Sequence, residues 1–182
     1  MKYTEKIMGI VKDSLALIEQ IETEREGLKI RHENGDFTDT WYAVKNKELD
    51  GKVAAIRLEA SRLLQETGKA YCAMIEKSSE IAGTMIHDDA KLLQMDLKMT
   101  PHQFEALVEK HRDNPLMSQL LREYSNKHEG LYASFAPAAE DKIGAFNDFV
   151  SAAMDTVRTP DTMQAALFQA GKCIPQFCTE SE

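Results

Sequence analysis

The chain holds five histidines and twelve aspartates in 182 residues, and their spacing decides which chemistries are open to it. Helical di-iron centres rest on Glu-x-x-His pairs. The residues three positions before the histidines are Lys29, Thr84, Met99, Val108 and Ser125, none of them acidic. There is no His-Glu-x-x-His run for zinc, no Gly-x-x-x-x-Gly-Lys phosphate loop and no acidic calcium loop. After His128-Glu129 come Gly130 and Leu131, with Tyr132 where a second zinc ligand would have to stand.

His87-Asp88 is similar to the adjacent metal ligands of helical HD-type phosphohydrolases, a resemblance that would cast His32 and Asp148 as the remaining ligands. With this many histidines and aspartates, however, a His-Asp dipeptide arises by chance about one time in three. Asp88 and Asp89 are equally suited to open a helix, where carboxylates favour the N-terminal dipole. The expectation is therefore a chain with no catalytic residue, no metal ligand and no cofactor, with the metal-dependent phosphohydrolase as the alternative.

Cys72, Cys173 and Cys178 make an odd count without framework spacing and read as reduced thiols. Cys173-Ile-Pro-Gln-Phe-Cys178 lacks the two further ligands zinc needs, which leaves reversible oxidation as its other use. Trp41-Tyr42 is a candidate partner anchor, aromatics being favoured at interface centres, weighed against core packing near a turn. The nine methionines suit a forgiving core or an adaptable groove for a partner helix.

The elements that must position these groups are helical. An apolar fraction of 43% with 29% charged residues is globular, and nine glycines with five prolines supply too few turns for a strand-rich fold, so the fold class expected is all-α. Pro101, Pro115, Pro137 and Pro160 stand where a first helical turn tolerates a missing N–H. Thr100 with Gln103 has the spacing of a capping box, Asn114 and Thr159 are suited to capping, and Gly130 and Gly171 fall where helices stop. Four short helices follow, near 101–112, 115–129, 137–158 and 160–170.

Upstream, the stretches from Tyr3 to about Glu33 and from about Thr38 to Ala82 contain no proline and have helical apolar spacing. In the first, Ile7, Ile10, Val11, Leu15, Ile18 and Ile21 form a broad stripe, and Asn34-Gly35-Asp36 reads as the reversal before the second. The second carries Leu49, Val53, Ile56, Ala60, Leu63, Ala70, Met74 and Ile81 on one alternating three-and-four spacing, with Asn46, Thr67 and Lys77 as misfits. That pattern predicts an antiparallel, coiled-coil-like hairpin whose seam also serves an oligomer or partner, with a break at Gly51 or Gly68 left open. The expected division is a long hairpin over 1–83, a small helical bundle over 84–172 and a flexible acidic tail over 173–182.

Thirty acidic against 22 basic side chains give a net charge of −8, and five of those eight negative charges lie in residues 129–182. Such a balance repels phosphate backbones, so nucleic acid is not the expected partner. The run Ile7–Val11 is too short for a signal or a membrane span, and a cytoplasmic protein without a membrane partner is expected.

The stretch Asp88–Glu129 contains Asp89-Ala-Lys-Leu-Leu, Thr100-Pro at a helix start, Glu105-Ala-Leu-x-Glu-Lys-His, an Asp113-Asn-Pro turn and Leu120-Leu-Arg-Glu-Tyr. On those motifs it resembles uncharacterised helical proteins encoded among the structural and head-assembly genes of phages and prophages of Gram-positive bacteria. The resemblance implies a non-enzymatic structural protein of phage assembly, in the bacterial host cytoplasm or the virion, acting through protein contacts and first of all with itself. A cytosolic adaptor that binds a partner helix is the further alternative.

Overall fold

The computed structural model describes residues 3–80, 86–95 and 97–175, and every regular element within them is helical. They are α1 (Tyr3–Glu33), α2 (Asp39–Ser79), α3 (Ala90–Gln94), α4 (Pro101–Lys110), α5 (Pro115–Lys127), α6 (Ala139–Arg158) and α7 (Met163–Gln169). The all-α expectation holds, with α1 and α2 as the long pair. The chain divides into two units, one of residues 1–72 with 143–182 and the other of residues 73–142. This grouping differs from the expected division after residue 83, because α6 beyond Ile143 and α7 belong with the hairpin. The acidic end expected as a flexible tail lies, from residue 176 onward, outside the described residues.

In the first unit, α1 buries Thr4, Ile7, Val11, Ser14, Ile18 and Ile21, a run of alternating three and four. Gly35, at φ +84°, reverses the chain, and its N–H donates to the His32 carbonyl at 2.9 Å. Only a residue without a Cβ adopts that angle at no steric cost. The antiparallel register of α1 on α2 follows from four contacts: Tyr3 on Tyr71 (ring centroids 5.6 Å), Glu24 to Lys52 (3.9 Å), Arg25 to Asp50 (2.7 Å) and His32 on Tyr42 (4.4 Å). This register sets Val11 level with Leu64, Ser14 with Ala60 and Ile21 with Val53.

α2 is continuous through Gly51 and Gly68, so neither glycine breaks it. Gly68 has a packing reason: a Cβ there would stand 3.2 Å from Val150 Cγ2, so the missing side chain admits α6. The face of α6 that meets the hairpin carries Phe146, Phe149, Val150, Ala153, Thr156 and Val157, all buried. Phe146 stacks on Tyr71 at 3.8 Å, and Phe149 stacks on Phe168 of α7 at 5.1 Å. These aromatic contacts explain why α6 and α7 group with the hairpin.

In the second unit, Phe104, Val108, Leu121, Tyr124 and Leu131 form a core bordered by Leu93, Met99, Leu107, Ala133 and Phe135. The Tyr124 hydroxyl donates to the Leu97 carbonyl, and Arg122 donates to the Ala136 carbonyl while its guanidinium lies 5.1 Å over the Phe135 ring.

The caps follow the sequence signals in part. Thr100 and Gln103 form a complete capping box on α4, and Asn114 caps α5 through the Met117 N–H. α7 starts later than expected, because Thr159 ends α6, its N–H donating to the Asp155 carbonyl at 2.8 Å. Thr162, beyond Pro160, is the residue that caps α7. Pro137 likewise stands ahead of α6, whose entrance is held by the Ala138 N–H donating to the Asp141 carboxylate at 3.2 Å.

Candidate functional site

The residues expected to form a partner seam on α2 are distributed over three environments. Leu49, Val53 and Ala60 are buried within their own hairpin, level with α1. Ile56 and Leu63 are half-buried, Ala70 and Met74 are exposed, and Ile81 lies outside the described residues. The buried stripe continues instead through Leu64, Thr67 and Tyr71, then Ile75. An undistorted helix drifts by about 20° per heptad against a strict seven-residue repeat, so by the third heptad the inward position has moved on by one residue. Thr67, a misfit in the heptad reading, is buried because its hydroxyl donates to the Leu63 carbonyl at 2.8 Å.

A second stripe on α2 faces solvent. Trp41, Val44, Glu48, Gly51, Ala55 and Leu58 recur at alternating three and four, and all six are exposed. Leu58 is 74% exposed, Val44 53% and Trp41 37%. Trp41 is held in place by Phe37, stacked at 3.9 Å, whose ring also carries the Arg31 guanidinium at 4.4 Å. Its neighbour Tyr42 is half-buried and turned the other way, stacked on His32, which is bonded to Asp39 at 2.8 Å. The two halves of the expected anchor thus separate: Tyr42 closes the hairpin and Trp41 belongs to the exposed stripe. Gly51 has open space where a Cβ would be, so no close approach among the described residues accounts for it.

The polar cluster of the second unit gathers around Asp89, not around the His87-Asp88 pair. Asp88 is exposed and pairs with Lys91 at 2.8 Å, while His32 is taken up by Asp39. Asp89 stands at the N-cap of α3 but makes no side-chain cap bond. Its Oδ2 instead accepts from Lys110 Nζ at 2.7 Å and lies 2.8 Å from His111 Nε2 and 3.3 Å from His87 Nδ1. These bonds, that from Lys110 foremost and then that from His111, pull the Asp89 carboxyl down to about 2. His111, at the C-cap of α4, is 5% exposed, and the His87 ring stands edge-on to it at 4.7 Å.

Sequence reasoning passed over Asp89 and His111 as a pair, although one signal was present. Phe104, Leu107, Val108 and His111 follow helical spacing, so His111 continues the apolar face of α4 and must be buried with a partner. Which carboxylate supplies that partner depends on the non-local meeting of the start of α3 with the end of α4. Of the cysteines, Cys72 Sγ stands 3.6 Å from Asn147 Oδ1, Cys173 is half-buried, and Cys178 lies outside the described residues. No helix among the described residues is long and apolar enough to cross a membrane. No protein-family model, curated protein or solved structure matches the chain.

Proposed function

We propose that this chain is a non-enzymatic helical interaction protein whose first partner is a second copy of itself, docked through the solvent-facing stripe of α2. One observation carries the reading: Trp41, Val44, Gly51, Ala55 and Leu58 repeat the spacing of a helix–helix seam while lying outside the hairpin's own core. Large apolar groups aligned in this way mark interaction surfaces. The stripe is self-complementary. When two copies of α2 run antiparallel, Trp41 comes level with Leu58 of the second copy, Val44 with Ala55 and Glu48 with Gly51, large against small in two of the three layers. Glu48 then also comes within reach of Lys52 of the second copy, and Gly51 supplies the clearance for the two helices to approach.

The resemblance of Asp88–Glu129 to helical proteins of phage and prophage head-assembly clusters supports a role in virion assembly, in the bacterial host cytoplasm or the virion. Self-association through a long helical hairpin suits that role. Light scattering on the full chain at micromolar concentration is expected to give a dimer mass. Val44→Glu and Leu58→Glu, which place a charge in the seam without touching the hairpin core, are expected to give a monomer. A monomer mass for the unaltered chain, or a dimer that survives both changes, overturns the reading.

A further inference from the structure

The Asp89 cluster has the makings of a metal site, and we propose that His87 Nδ1, Asp89 Oδ2 and His111 Nε2 bind one divalent d-block ion of the zinc class. The three donor atoms lie within 4.8 Å of one another. Donors on a tetrahedral zinc, at about 2.0–2.1 Å from the ion, stand roughly 3.3 Å apart. His87 Nδ1 and Asp89 Oδ2 already have that separation at 3.3 Å, and the 2.8 Å between Asp89 Oδ2 and His111 Nε2 need open by only about half an ångström. Two imidazoles with one carboxylate suit zinc, cobalt or iron rather than calcium or magnesium, which take oxygen donors.

The surroundings set both the rigidity of the site and what must move. Asp89 and His111 occupy the ends of two helices, the N-cap of α3 and the C-cap of α4, and the neighbouring Ala90 is buried, so these two donors are fixed by packing. His87, 46% exposed on its side chain, closes the cluster from the solvent side, leaving room there for a water as fourth ligand. Three interactions give way when an ion enters. His111, whose Nε2–H donates to Asp89 Oδ2 at 2.8 Å, gives up that proton and takes the Nδ1–H form, so that the Nε2 lone pair faces the ion. The Asp89 N–H, which donates to His87 Nδ1 at 3.1 Å, releases that lone pair. Lys110, whose ammonium holds the same Asp89 oxygen at 2.7 Å, swings out into solvent, to which its side chain is already 54% exposed. Lys110 is thus the cation that an incoming ion replaces.

The test uses the full chain, stripped of metal by a chelator and dialysed. Calorimetric titration with Zn²⁺ is expected to show saturable binding of one ion per chain, and Co²⁺ to give the visible absorption of a tetrahedral site. His87→Ala and Asp89→Asn are expected to weaken Zn²⁺ binding by roughly tenfold or more. Lys110→Met, which removes the competing ammonium, is expected to tighten it, and His102→Ala, outside the cluster, to leave it unchanged. Circular dichroism establishes that each variant is folded, and if Asp89→Asn is not, His87→Ala decides alone because its side chain is the least buried of the three donors. Absence of saturable binding, or binding that His87→Ala leaves unchanged, overturns the proposal.

Discussion

Gly68 of α2 and Val150 of α6 are packed so closely that a Cβ on the glycine would stand 3.2 Å from Val150 Cγ2. Gly51, seventeen residues earlier on the same helix, has nothing among the described residues within 4 Å of that position. The two glycines therefore respond oppositely to substitution. Gly68→Leu is expected to destabilise by about 1–3 kcal/mol, the cost of overpacking. Gly51→Ala is expected to gain about 1 kcal/mol of helix propensity when melted at concentrations low enough to keep the chain monomeric. Thermal unfolding of both variants checks the pair, and losses of equal size would contradict the packing described.

The drift of the α2 seam separates two adjacent leucines. Leu64 is fully buried and Leu63 only half-buried. Leu64→Ala is expected to cost about 2–5 kcal/mol, as for a large-to-small change in a core, and Leu63→Ala less than half of that. Urea unfolding gives both numbers. A larger loss at Leu63 would restore the strict heptad register and displace the one given by Tyr71, Thr67 and Leu64.

Acid stability reports on Asp89 in the metal-free chain. Its carboxyl is held down to about 2, first by Lys110 and then by His111. A carboxyl whose folded value lies below the unfolded one stabilises the fold fully above the ordinary value of about 3.9, and that contribution is lost as pH falls through about 2. Asp89→Asn is therefore expected to flatten the acid limb of stability between about pH 4 and pH 2. Partial solvent exposure of the group keeps the effect modest. Denaturant midpoints measured across that range decide it, and an acid limb unchanged by the substitution would contradict the Asp89 contacts.

Much of this architecture is legible in the sequence because local signals carry it. The long proline-free stretches and Asn34-Gly35-Asp36 mark α1, the turn and α2, and the Thr100–Gln103 and Asn114-Pro115 signatures mark α4 and α5. What the sequence conceals is non-local. Leu63 and Leu64 are indistinguishable by type, and only the accumulated helical drift says which one turns inward. Thr159 and Thr162 are both competent caps, and the choice rests on whether Thr159 still bonds back to Asp155, as it does. The grouping of α6 with the hairpin depends on Gly68 meeting Val150 across a long separation in sequence, and the Asp89–His111 bond depends on the start of α3 meeting the end of α4. Residues of ordinary type, placed by tertiary contact, carry no local signature.

The central claim is that two copies of α2 pair antiparallel along the Trp41–Leu58 stripe, and pulsed electron spin resonance between nitroxide labels tests it most directly. In a chain with its three cysteines replaced by serine, one label at position 47, exposed beside the seam, and, in a second preparation, one at position 65 report the distance between copies. Antiparallel pairing brings position 47 level with position 52 of the second copy, so its label is expected at short range. Position 65 is then displaced from its own counterpart by roughly 45 Å along the axis, at about 1.5 Å per residue. A short distance at 47 and a long one at 65 are expected. Short distances at both positions, which would mean parallel pairing, or no coupling at either, which would mean no pairing, would contradict it.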